Sequence, residues 1–447
     1  MFKRLLSLTL GIGLAFASFQ YVHFSSWQIG EVVQDQKVTV QAKQPELVCA
    51  GPVNVNGGST GLKLGNFVPL GTAQVLGNVT LDSASIANQK LLIGDGQGSK
   101  NFNAVQWQSV DTTQGFGLAA ANCQPGSGDA WLVAGDGSVG REALIVLANP
   151  TSVDATVTLQ IFGTNGPIAG SGQSGISAPA GKLTVLPISA FAPKASTFAI
   201  HVTSRGAALG IWLQQKTVRG LTPGGIDLIG PAANPAKDVF IPGIFLRGVS
   251  AIAKKADGTS DFADTKAILR VTAPGTKQAT FTAQIQGSDD KSVGTVISQT
   301  VPAGTTRDFE LSDLTDGNYT VTINSDQPVS AAVRFNRSSS KNTDFAWAVA
   351  TSALKLDSGF TSPAGSTTKL SLINTAAKSV TVTLDGVTHQ ISANTSIVLA
   401  VSAGKAHSIS SDGRVAASQV VDIKSAIAVI PVIDYRNVGG VLKVSVR

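Results

Sequence analysis

The chain has 447 residues, a charged fraction of 14% and a formal net charge of +6. That length exceeds one compact core and predicts about three domains. A hydrophobic fraction of 43% excludes a disordered chain, and cationic residues scattered singly or in pairs exclude a concentrated nucleic-acid-binding face, while leaving anionic envelope polymers compatible.

In chain order, Lys3 and Arg4 precede the apolar run from Leu5 to Ala17, the pattern of a secretory signal. Ala15-Phe16-Ala17 has the small-x-small form of a cleavage site, yet apolar character continues to Phe24, close to the ~20 residues of an uncleaved anchor. Residues 1–24 are therefore read as a signal peptide or signal-anchor. In either case the basic end stays inside and the remainder is extracytoplasmic, membrane-anchored by the N-terminus or secreted. Cys49 and Cys123, the only cysteines, suit an exported chain as a disulfide; the alternative is two buried free thiols, since C-x-x-C redox spacing is absent.

Residues 46–128 form either a divergent N-terminal β-domain or a cap on the unit that follows. Strands are expected at Val68–Val79, Lys90–Ile93, Ala104–Val110 and Phe116–Ala120. Gly57-Gly58-Ser59-Thr60-Gly61 spells G-x-S-x-G, but its neighbours lack the strand and helix of a nucleophile elbow. Gly94–Lys100 has the composition of a phosphate loop without its spacing. Of the five tryptophans, Trp131, Trp212 and Trp347 lie in apolar strands, and Trp107, between Gln106 and Gln108, is the candidate for ligand stacking.

From residue 129 a pattern recurs three times. Leu147-Ala148-Asn149-Pro150, Val271-Thr272-Ala273-Pro274 and Leu372-Ile373-Asn374-Thr375 are each followed, at the same offset, by a strand alternating apolar residues with Thr. In the first copy Val153, Ala155, Val157, Leu159 and Ile161 share one face, the period of a half-buried strand. A tight turn then recurs at Pro179-Ala180-Gly181, Pro302-Ala303-Gly304 and Ser392-Ala393-Asn394, ending on the residue types that best accept positive φ. A closing hairpin is expected through Ser204–Gly206, Ser325–Gln327 and Ser411–Gly413. Trp131, Phe240 with Phe245, and Trp347 are read as core aromatics on the leading strand of each copy. The units are set at 129–235, 236–342 and 343–447.

Other motifs have plain explanations. Gly135–Gly140 matches G-x-G-x-x-G, but an apolar β-run follows where a dinucleotide site needs a helix. His23, His201, His389 and His407 lack metal-ligand spacing. Asp289-Asp290, and Asp313 with Asp316, could in principle act on a glycosidic bond, but they lie in turn-like stretches where Asp is expected for its backbone hydrogen bonds. No catalytic, cofactor-binding or metal residue is assigned.

The N-terminal signal, Leu47-Val48-Cys49-Ala50-Gly51-Pro52, the later Cys123, Asp129–Gly135 and Leu147–Pro150 resemble an actinobacterial family of secreted or membrane-anchored proteins of unknown function. Cys49-Ala50-Gly51-Pro52 departs from the Cys-Pro-Gly-Pro expected of that family. The resemblance implies a Gram-positive envelope and carries over no catalytic residue. The resulting expectation is an all-β chain: tandem immunoglobulin-like antiparallel β-sandwich repeats after an N-terminal signal-anchor helix. Its function is read as non-enzymatic contact with cell-envelope proteins or glycans, with the membrane met through the N-terminal segment and no nucleic acid. The alternative is a glycan-active enzyme or accessory carbohydrate-binding protein of the cell wall.

Overall fold

The structure, a computed structural model, describes residues 46–434 apart from 57–66, 78–79, 87–88, 94–101, 259, 289–293, 339–341 and 355–356. The signal or anchor at 1–24, the Gly57–Gly61 and Gly94–Lys100 motifs, and Asp289-Asp290 therefore lie outside the described residues. The fold is all-β, with 62% strand and 5% helix, and every strand pair among the described residues is antiparallel. Among the described residues no helix is long and apolar enough to cross a membrane. Among the described residues one α-helix, Val249–Gly258, went unforeseen because its 10 residues make fewer than three turns, too few for a helical period to stand out; the Asp316 carboxylate accepts from the Gly248 and Val249 N–H groups at its start, both at 2.9 Å.

Residues 129–431 build one topology three times, each time as two facing sheets. In the first unit one sheet orders Gly166–Ile168, Ala155–Gly163, Phe198–Arg205 and Asp129–Leu132; the other orders Leu183–Pro187, Arg141–Ala148, Gly210–Arg219 and Thr222–Ile229. The third unit repeats this with Val387–Ile391, Val380–Leu384, Ala406–Ser411 and Asp357–Thr361 facing Ser396–Val401, Thr367–Asn374, Val415–Ile423 and Ala426–Pro431. In the second unit the single strand Gly317–Ser338 serves both sheets: its first half pairs with Ala236–Leu246 and Ala279–Gly287, its second with Ile268–Ala273 and Thr343–Val349.

That continuous strand corrects the expected hairpin. Ser204–Gly206 and Ser411–Gly413 do not join paired strands; they carry the chain from one sheet to the other. Local alternation shows two strands but not whether they pair. Trp347 is likewise displaced. It lies on Thr343–Val349, the closing strand of the second unit, and the third unit is led by Asp357–Thr361 with Phe360. Trp131 leads the first unit as expected and stacks on Phe162 at 5.5 Å in the core. Phe240 and Phe245 both lie on the expected strand; Phe245, partly buried, packs against the principal core, whereas Phe240 faces outward, half-buried, because Val239 and Ile241 take the inner positions on either side of it. Val153 is 54% exposed, since the strand begins only at Ala155.

The recurrent motifs have a physical cause. Gly181, Gly304 and Asn394 adopt φ of 62°, 67° and 54°, and the next residue's N–H donates back to Pro179, Pro302 or Ser392 at 3.2 Å in each copy. Asn149 and Asn374 are fully buried beside these turns. Asn374 Nδ2 donates to the Lys378, Ile391 and Ser392 carbonyls at 2.8–3.0 Å, and its Oδ1 accepts from Ala376 N–H at 2.8 Å. Asn149 repeats this with Val153, Ala178 and Thr151. The amide thus bonds backbone groups that no strand partner reaches.

The first strand of the second sheet, Arg141–Ala148, is apolar on both faces. Ile145 and Leu147 enter the sandwich core, while Val146 and Ala148 join Val48, Val53, Val110, Ala119 and Trp212 in a core shared with the N-terminal region. A further core joins Val105, Trp107 and Leu118 to Val421, Ala428 and Ile430 of the third unit. The N-terminal region is therefore packed between the first and third units. Four strands, Gly115–Asn122, Thr222–Ile229, Thr343–Val349 and Ala426–Pro431, pack in a ring, each the closing strand of its sheet. This ring is the hub of the molecule.

Candidate functional site: a composite cleft at the end of the hub

The four segments that leave the hub strands converge on one cleft of about 480 Å³. They are residues 124–129, 231–234, 350–354 and 431–434, one contribution from each region of the chain. Ala232, Ala350, Leu354 and Val432 make its surface largely apolar, with Gln124, Ser127, Asn234 and Asp129 supplying polar groups. Each segment is tied down by main-chain bonds of 2.7–2.9 Å: Gln124 N–H to Val48 O, Ala232 to Trp131 O, Ala233 to Ala350 O, Leu354 to Val415 O and Val432 to Ala417 O. Paired backbone thus holds the cleft, the condition for a preformed recognition surface.

At its rim Asp129 Oδ2 lies 3.0 Å from His201 Nε2, and the imidazole stacks on Trp131 with centroids 4.4 Å apart and planes inclined by 7°. His201 and Trp131 are cross-strand neighbours, and His407 with Phe360 repeats the arrangement in the third unit at 4.9 Å. His407 is enclosed: Nε2 donates to Ser402 O at 2.8 Å and Nδ1 lies 2.6 Å from Asp385 Oδ2. Burial tends to raise the Asp385 carboxyl, but the His407 bond and the Ser408 N–H outweigh it and hold the group below its usual range. These partnerships were not legible in the sequence, where the aromatic and the histidine lie tens of residues apart.

Cys49 and Cys123 form a disulfide in a buried cluster with Leu47, Phe102 and Ala104. It anchors the first cleft segment, because Val48 and Gln124, the adjoining residues, exchange two main-chain bonds of 2.8 and 2.7 Å. The Gln124 side chain then accepts from Ile211 N–H at 3.0 Å and donates to Ile211 O at 2.8 Å. Gln214 with Asn54, and Gln106 with Gly51, do the same, so buried glutamines stand in for missing strand partners. Trp107 is 5% exposed and belongs to the core between the N-terminal region and the third unit. It borders a groove of about 730 Å³ with Gln74, Asp111 and Lys424.

At the other end of the hub lies Asp344, fully buried. Its carboxylate accepts from Leu118, Ile226 and Ile427 N–H at 3.2, 3.2 and 2.8 Å, one bond to each of the other hub strands. Burial pushes its pKa up to about 8 even though these amides favour the charged form. Asp227 is also buried and raised, first by burial and further by the Asp344 charge, and it accepts from Trp347 N–H at 2.8 Å. Between the first and second units, Arg270 holds Asp308 by two bonds of 2.7 and 2.8 Å and donates to Gly135 O at 2.7 Å. Burial would raise Asp308, but this guanidinium holds it below the usual carboxylate range. The G-x-G-x-x-G segment thus serves as a carbonyl acceptor at a junction between units.

A model of a family of unknown function, DUF5719, matches residues 80–412, a span that takes in Cys123, Asp227, Asp344 and all three recurrent turns. No curated protein matches the sequence. Among solved structures, Thermotoga maritima 1070 is 14% identical with a TM-score of 0.20, covering 26% of this chain and 95% of its own. An anti-sigma factor domain-containing protein from Clostridium clariflavum is 8% identical with a TM-score of 0.13, covering 86% of this chain and 96% of its own.

Proposed function

The chain belongs to a family of unknown function, DUF5719, and from that premise we propose that it is a non-enzymatic, extracytoplasmic recognition protein of an actinobacterial envelope. In this reading residues 1–24 export the chain and either anchor it or are removed, and immunoglobulin-like units carry the contact surfaces. The observation that carries the location is the pairing of the chain's only two cysteines, which persists in oxidising compartments and is rare in a reducing cytosol. The composite cleft supports the recognition role: four regions far apart in sequence each give a pinned segment to one surface.

Protease shaving of intact cells, followed by cross-linking and capture of what the β-region touches, tests both parts. Cleavage in intact cells and envelope partners recovered through cleft residues are the expected results. Protection of the whole chain in intact cells and spheroplasts alike would overturn the location, and turnover of an envelope glycan by the purified protein would overturn the non-enzymatic role.

A further inference from the structure

A second groove, of about 540 Å³, runs between the second and third units. Its floor is the outer face of a sheet on which Phe240, Thr322 and Gln284 form one row across three adjacent strands, by direct register. All three side chains are at least partly exposed. In the next row Asn324 Nδ2 donates to Asp238 Oδ1 at 2.7 Å, which fixes that amide. The opposite wall comes from the turns of the third unit, including Asn394 and Arg414.

Two cations flank this polar floor. Lys237 and Arg414 are exposed, and among the described residues neither enters an ion pair. The backbone beneath Arg414 is fixed, because its carbonyl accepts from both the N–H and the hydroxyl of Thr375 at 3.0 Å. Among the described residues Asp238 is the one acidic residue on the lining, and it is engaged by Asn324. The groove therefore offers a half-buried aromatic ring, two side-chain amides of which Asn324 is pinned by Asp238, a hydroxyl, and a net positive charge over its described lining.

That combination suits a sugar chain bearing acidic groups. We propose that this groove binds an anionic oligosaccharide. Phe240 lies against a sugar ring, Thr322, Gln284 and Asn324 bond hydroxyls, and Lys237 and Arg414 meet carboxylate or phosphate. The proposal rests on the envelope-recognition reading and gives it a ligand class. Phosphate and carboxylate share the chemistry the cations recognise, so both are tested.

The test is calorimetric titration of the purified, oxidised full chain with two acidic probes, hexameric oligogalacturonate and phosphorylated maltohexaose, and with neutral maltohexaose and polyglutamate for comparison. Either acidic probe should bind, more weakly as salt is raised, and more tightly than maltohexaose. Lys237→Gln and Arg414→Gln, both exposed and compatible with folding, should each weaken binding about tenfold. Phe240→Leu should weaken both acidic probes without altering their salt dependence. Binding of neither acidic probe at millimolar concentration would overturn the proposal, as would equal binding of maltohexaose or affinities untouched by the charge variants. Tighter binding of polyglutamate, lost in the same variants, would reassign the groove to acidic peptides. None of these failures touches the protease-shaving result, so the location stands or falls separately.

Discussion

Asp344 joins four strands through one carboxyl group, and its environment sets a pH dependence. Its folded pKa of about 8 lies above the ordinary 3.8, so the native state keeps a proton that the unfolded chain releases. The stability from this group is full below about pH 4, falls as pH rises between about 4 and 8, and is level above that window. A tenfold difference in proton affinity between the folded and unfolded states is worth about 1.4 kcal/mol, so the loss amounts to several kcal/mol at most. Asp344→Asn removes the titration. Urea midpoints at pH 5 and pH 8.5 should show the variant gaining on the wild type at the higher pH; an unchanged difference would refute the assignment. Asn374 gives a simpler case. Asn374→Ala leaves buried carbonyls without a donor and should cost about 1–3 kcal/mol by urea denaturation.

At the scale of elements, the hub strands require glycine where they approach one another. Gly225 has φ of +130°, and a Cβ there would lie 2.4 Å from Phe345 Cδ1 and 3.0 Å from Asp344 Oδ1. Gly225→Ala should therefore loosen the ring and expose the strands Thr222–Ile229 and Thr343–Val349 together, seen as faster hydrogen exchange in both. Exchange confined to the first strand would mean that the two are not coupled. The disulfide acts on the same framework. Its residues are 74 apart in sequence, and closing a loop of that size stabilises by up to ~4.5 kcal/mol in the chain-entropy model. Cys49→Ser should lower the urea midpoint by an amount within that bound, and the wild type should show no free thiol when denatured without reductant.

For the whole molecule, shared cores make the units interdependent. The principal core runs from Ala130 through Trp347 to Val429, and Arg270 and Asp344 bond across unit boundaries. Limited proteolysis of Gly225→Ala should accordingly release fragments of more than one unit, where independent sandwiches would lose only the first. Much of this architecture was legible beforehand: strand period, the recurrent turn at Gly181, Gly304 and Asn394, and the cysteine pair. The cleft was not, because its lining residues, Ala232, Ala350 and Val432 among them, carry no chemical signature and meet only through the hub. Trp347 was misplaced for a related reason: an apolar strand states that it is buried, not which sheet buries it.

By itself, then, the sequence determined what depends on neighbours along the chain. Alternation sets strands, positive-φ residue types set turns, and repetition at fixed offsets sets a repeated unit. Tertiary structure alone decided which strands close which sheets, where the second face of Arg141–Ala148 is buried, and why Asp344 is tolerated in an apolar strand. These follow from burial and hydrogen-bond partners contributed by residues more than a hundred positions away, such as Leu118 and Asp344, and no local pattern encodes them.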